Sequence, residues 1–76
     1  MKSQTYKTKD LSISAVLVLR KIKLIKVERQ EGICWFEFEE KEQCENLASQ
    51  YLFGEILVNA REYEETIKRL KNIIFS

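Results

Sequence analysis

The sequence of 76 residues contains no histidine, no proline, two glycines and two cysteines. Without histidine there is no imidazole base, no Ser-His or Cys-His nucleophile pair and no His-containing metal site. Cys34 and Cys44 are also too few for a structural zinc site or a disulfide scaffold. We therefore expect a protein that is not an enzyme and that uses neither a metal nor a cofactor.

Long hydrophobic runs are absent as well. The most apolar stretch, Leu11 to Leu19, is nine residues long and contains Ser12 and Ser14. It is too short to span a membrane, and basic residues follow it where a signal peptide would have a small-residue cleavage site. We expect no membrane partner, a cytoplasmic location with reduced thiols, and a single small domain over residues 1–76.

Charge of each sign is present in nearly equal amount but is unevenly distributed. Residues 1–29 carry eight basic and two acidic groups, residues 30–65 carry two basic and ten acidic groups, and residues 66–76 are basic again. The blocks can attract each other across the fold, or the basic N-terminal third can form a functional surface.

Hydrophobic periodicity predicts helices over 10–21, 41–53 and 60–74, and a β-hairpin formed by Leu24–Arg29 and Ile33–Glu39. Gly32 lies at the expected hairpin turn, and Gly54 lies at the expected end of the second helix. The predicted core consists of Leu11, Ala15, Val18, Leu19, Ile25, Val27, Phe36, Phe38, Leu47, Ala48, Tyr51, Ile67 and Leu70.

These elements predict an α+β fold in which helices pack on the hairpin. Two further segments, Thr5–Lys7 and Glu55–Val58, have the character of short strands. If both are strands, the order becomes β-α-β-β-α-β plus a C-terminal helix, which is the ferredoxin-like arrangement.

The first helix has more apolar surface than one buried stripe requires. Ile13, Val16 and Leu17 form a second strip, which must be covered by the C-terminal helix or by another molecule. We predict that a second copy covers it, giving a homodimer or another protein complex. Trp35 is a further protein-interface candidate, because the hairpin alternation places it opposite the face of Phe36 and Phe38.

Nucleic-acid binding is the alternative function. Residues 31–38 resemble the octapeptide of RNA-recognition motifs at Gly32, Cys34, Trp35 and Phe38. However, Glu31 and Ile33 replace the basic and the stacking residue of that motif. The residues available to such a surface are Lys7, Lys9, Arg20, Lys21, Lys23, Lys26, Arg29 and Trp35. We favour a protein-interaction or self-associating module, because the net charge is only +1.

Three segments resemble a family of short bacterial and phage proteins classed as a domain of unknown function. They are Tyr6-Lys7-Thr8-Lys9-Asp10-Leu11, Trp35-Phe36-Glu37-Phe38-Glu39 and Leu70-Lys71-Asn72-Ile73-Ile74. The chain departs from the family's pattern at Ser14-Ala15, where Ala-Ala is usual, and at Lys21, where many members have glycine. The resemblance covers nearly the whole chain and implies no particular activity.

Overall fold

The computed structural model describes residues 4–75. The elements follow in the order β1 (Tyr6–Thr8), α1 (Leu11–Leu19), β2 (Leu24–Gln30), β3 (Ile33–Phe38), α2 (Lys41–Leu52) and α3 (Ala60–Ile74). Strand β3 lies in the middle of the sheet and pairs antiparallel with both β1 and β2. The predicted α+β class is confirmed, and the helices and the hairpin lie close to their predicted positions.

The predicted fourth strand is wrong. Within residues 4–75 the sheet has three strands, and Glu55–Val58 is an irregular connection between α2 and α3. The Arg20 guanidinium donates a hydrogen bond of 3.1 Å to the carbonyl oxygen of Leu57, which ties this connection to the end of α1. A β-prone segment without a neighbouring strand forms no ladder, so the ferredoxin-like order is not completed.

One face of the sheet carries the core. Phe36 and Phe38 on β3 are fully buried, as their alternation predicts, and they pack in one cluster with residues of all three helices. Ile25 was predicted to join them but is 41% exposed. A register shift between Leu24 and Lys26 leaves Ile25 as the extra residue of a β-bulge, which removes it from the alternation.

Helix α1 is the central helix of the molecule. Five consecutive residues from Ile13 to Leu17 are buried, as is typical of a helix enclosed on all sides. Helix α3 packs along α1, and α2 contacts it as well. The prediction that Ile13, Val16 and Leu17 form an interface is therefore wrong, because they are only 8%, 1% and 0% exposed within the chain itself.

The remaining predicted core residues divide into two groups. Ala15, Ala48 and Leu70 are buried. The others are only half-buried: Leu11, Val18, Leu19, Val27, Leu47, Tyr51 and Ile67.

Local sequence determines how the helices begin and end. Asp10 Oδ1 accepts a hydrogen bond of 2.9 Å from the Ile13 amide at the start of α1, and Asn59 caps α3 in the same way. Two residues after the end of α1, Lys21 has a left-handed φ of 68°, and two residues after the end of α2, Gly54 has a φ of 69°. None of these helices, in the part of the chain that the structure describes, is long and apolar enough to cross a bilayer.

Candidate protein-interaction surfaces

The sheet has a second face, opposite the core, which we call the open face. Alternation along the strands places seven side chains on it: Lys7, Lys26, Glu28, Gln30, Ile33, Trp35 and Glu37. All seven are exposed or half-buried, whereas Phe36 and Phe38 between them are fully buried. The open face is therefore a surface of the molecule, with Trp35 near its centre on the middle strand.

Charges on the open face neutralise each other. Glu28 lies 3.4 Å from Lys26 Nζ and 3.9 Å from Lys7 Nζ. Because Lys7 is on β1 and Glu28 is on β2, the second ion pair extends across β3. With Glu37, the face carries two cations and two carboxylates, so it does not present the excess of positive charge that a nucleic-acid surface needs.

Glu37 is a half-buried charged residue of the open face. It lies in register between Lys7 on β1 and Lys26 on β2. Its Oε1 is buried and accepts no hydrogen bond from any of residues 4–75. Burying a polar atom without a hydrogen-bond partner costs free energy, and the ion pairs of both neighbouring lysines are made with Glu28.

The basic residues of the N-terminal third do not form one surface with Trp35. Only Lys7 and Lys26 share the open face with it. Lys9 and Arg29 line a shallow groove near the hairpin turn, Lys21 lies beside Glu62 and Glu65 of α3, and Arg20 bonds to the α2–α3 connection. Lys23 lies in the turn before β2, where its carbonyl accepts from the Glu39 amide.

Sequence analysis missed the most exposed apolar segment. Leu52, Phe53 and Leu57 are 71%, 76% and 88% exposed, and Val58 beside them is 37% exposed. We call these four residues the apolar connection, because they lie on and beside the segment between α2 and α3. The apolar residues on both sides of Gly54 are the available signal in the sequence, but the same pattern also predicts a helix end followed by a strand.

The two thiols differ in environment. Cys44 is fully buried and donates a hydrogen bond of 3.2 Å to the carbonyl oxygen of Glu39. Burial, reinforced by the negative charges of Glu40 and Glu45, raises the pKa of the Cys44 thiol to about 11. The thiol therefore stays protonated and a poor nucleophile at neutral pH, whereas Cys34 is half-buried.

Other titratable side chains show no grouping suited to a metal. Burial raises the pKa of Tyr6 and of Tyr63, with no cation involved in either case. Among residues 4–75, no three His, Cys, Asp or Glu side chains are arranged to hold a metal ion.

Comparison with known proteins gives a family but no activity. A family model described as "Domain of unknown function (DUF5659)" matches residues 3–76. The chain belongs to this family. No curated protein and no solved structure matches it. The open face and the apolar connection are thus surface features of a DUF5659 chain.

Proposed function

We propose that the protein is a small non-enzymatic protein-interaction module. The observation that carries this proposal is the apolar connection, where Leu52, Phe53 and Leu57 each expose more than two thirds of their surface. Each such side chain recovers roughly 1.5–3 kcal/mol when it is removed from water, so a partner gains affinity by covering them. Contiguous exposed apolar patches mark contact sites in folded proteins, and these side chains all lie within residues 52–58.

Charge supports the same conclusion. The open face is neutral overall, and its lysines already have Glu28 as a partner. Phosphate binding would have to break these ion pairs, whereas a protein partner with mixed charges can be accommodated beside Trp35. We include a cytoplasmic location and a bacterial or phage source in the proposal, on the basis of the sequence alone.

The test uses a tagged chain in an extract of its own source cells. The variants are the double substitution Phe53→Ser with Leu57→Ser, the single substitution Trp35→Ser, and the control Glu64→Ser on the exposed side of α3. Circular dichroism first establishes that each variant is folded. We expect a partner that binds the wild type and the control with equal affinity and binds the double variant at least tenfold more weakly.

Two outcomes would contradict the proposal. In the first, the double variant and Trp35→Ser each bind the same proteins as the wild type, with the same affinity. In the second, the protein binds fluorescent oligonucleotides, and its affinity for them falls by a hundredfold or more from low to moderate salt. Such a salt dependence is the signature of phosphate contacts. The second result would establish the alternative, a nucleic-acid-binding module.

A further inference from the structure

We propose that the partner of β2 is the β2 strand of a second copy of this chain. The two strands would run antiparallel about a two-fold axis at Val27 and join two three-stranded sheets into one sheet of six strands. This inference rests on the proposed interaction function and names the partner of one surface, the outer edge of β2.

Strand β2 lies at one edge of the sheet. The strand runs from Leu24 to Gln30, and β3 is the one strand within residues 4–75 that pairs with it. Along such an edge, alternate backbone N–H and C=O groups point away from the sheet without a ladder partner. At seven residues, β2 is also longer than the opposite edge strand β1, which has three.

The side chains of β2 select one register. We consider an antiparallel, two-fold symmetric pair of β2 strands in which the helices of both copies lie on the same side of the joined sheet. Residues directly opposite each other then point to the same side of the sheet, so their two residue numbers add up to an even number. Centring the pair on Val27 places Lys26 opposite Glu28 of the second copy, and this contact occurs twice. Centring it on Lys26, Glu28 or Arg29 places two like charges against each other on the axis, which is unfavourable.

The geometry of the open face fits this arrangement. Within one copy Lys26 and Glu28 are already 3.4 Å apart, with side chains that are 52% and 38% exposed. Pairing at Val27 would give four alternating charges around the axis, so each carboxylate would have a cation on its own strand and one on the neighbouring strand. Lysine on an edge strand ordinarily prevents pairing, but the glutamate two residues later makes this edge complementary to itself.

The bulge determines how far the pairing extends. Ile25 is 41% exposed and interrupts the strand near its start, so regular pairing covers Lys26 to Glu28 of each copy. Beyond them, Arg29 of one copy lies opposite Ile25 of the other, and the alkyl part of Arg29 can cover it. Such an interface is small, so we expect a weak dimer with a dissociation constant of roughly 1 µM to 1 mM.

Charge reversal tests the register directly. Sedimentation velocity is measured over a wide concentration range for the wild type, K26E, E28K and the double variant K26E/E28K. The single variants place like charges at both contacts, so we expect their dissociation constants to rise roughly 10- to 100-fold. The double variant restores opposite charges, so it should dimerise like the wild type. Mixing K26E with E28K should form a heterodimer, although neither dimerises well alone.

The control is K68E, which makes the same charge change on α3 and should dimerise like the wild type. Thermal melts of each variant separate a loss of pairing from a loss of folding. The mixture of the two single variants is a second check on folding, because it can form the heterodimer only if both variants are folded. The β2 pairing is overturned if the wild type stays a monomer of 9.1 kDa at millimolar concentration. A dimer that all four charge variants form equally well overturns it too.

These results are distinguishable from failure of the proposed function. A monomeric wild type that still loses a cellular partner on Phe53→Ser with Leu57→Ser leaves the interaction module intact and removes only the self-pairing. Conversely, a dimer controlled by Lys26 and Glu28 supports self-association even if the apolar connection binds nothing.

Discussion

Replacing Lys21 by glycine should stabilise the protein. Lys21 follows the last turn of α1 with a φ of 68°, in the left-handed region. Its amide donates to the Val18 carbonyl at 3.0 Å, and the Ile22 amide donates to the Leu17 carbonyl at 3.0 Å. These two bonds form a Schellman ending, whose left-handed position favours glycine.

The size of the effect follows from two opposing terms. A side chain in the left-handed region costs about 1–2 kcal/mol, and Lys21→Gly removes that cost. Glycine loses more conformational freedom on folding than other residues do, which lowers this gain in stability by roughly 0.5–1 kcal/mol. We expect a net gain of about 0.5–1 kcal/mol in the free energy of unfolding, or a rise in Tm of about 2–8 °C for a domain of this size.

The assay is thermal unfolding followed by circular dichroism, with urea unfolding at 25 °C as a second measure. Lys21→Ala is the matched control, because it removes the same charge beside Glu62 and Glu65 but keeps the left-handed Cβ. We expect the alanine variant to melt at or below the wild-type temperature. Equal Tm values for the glycine and alanine variants would refute the argument from backbone conformation.

Three further predictions concern the core. Phe36→Ala removes a fully buried side chain and should cost about 3–5 kcal/mol in chemical denaturation, whereas Leu57→Ala, at a residue 88% exposed, should cost less than about 0.5 kcal/mol. Leu17→Glu should give an unfolded or aggregated chain by circular dichroism and light scattering, because Leu17 is fully buried. A folded monomer would show that Leu17 is not part of the core. Leu57→Glu, at an exposed residue, is the control that should stay folded. Because the folded pKa of Cys44 is raised to about 11, its contribution to stability should be complete below the ordinary thiol pKa of 9.0 and decline as the pH rises toward 11. Cys44→Ala should flatten this decline in urea midpoints, and in the native protein a thiol reagent at neutral pH should modify Cys34 well before Cys44.

The candidate surfaces were only partly predictable. Alternation along β3 correctly separated Trp35 from Phe36 and Phe38, because a strand places successive side chains on opposite faces. The sequence could not show that Lys7 reaches across β3 to Glu28, since the order of strands in the sheet decides which residues become neighbours. It also gave no reason to expect that Leu52 and Phe53 would stay in solvent.

The sequence by itself determined the local structure: the helix and hairpin positions, the caps at Asp10 and Asn59, and the turns at Gly32 and Gly54. These features depend on residues that are close in sequence, so they do not require contacts with distant parts of the chain. Only the tertiary structure decided what covers α1, whether Glu55–Val58 pairs with a strand, and where Ile25 points. Those outcomes depend on contacts between distant segments: α3 packs along α1, Arg20 holds the connection at Leu57, and a bulge shifts the register of β2 against β3.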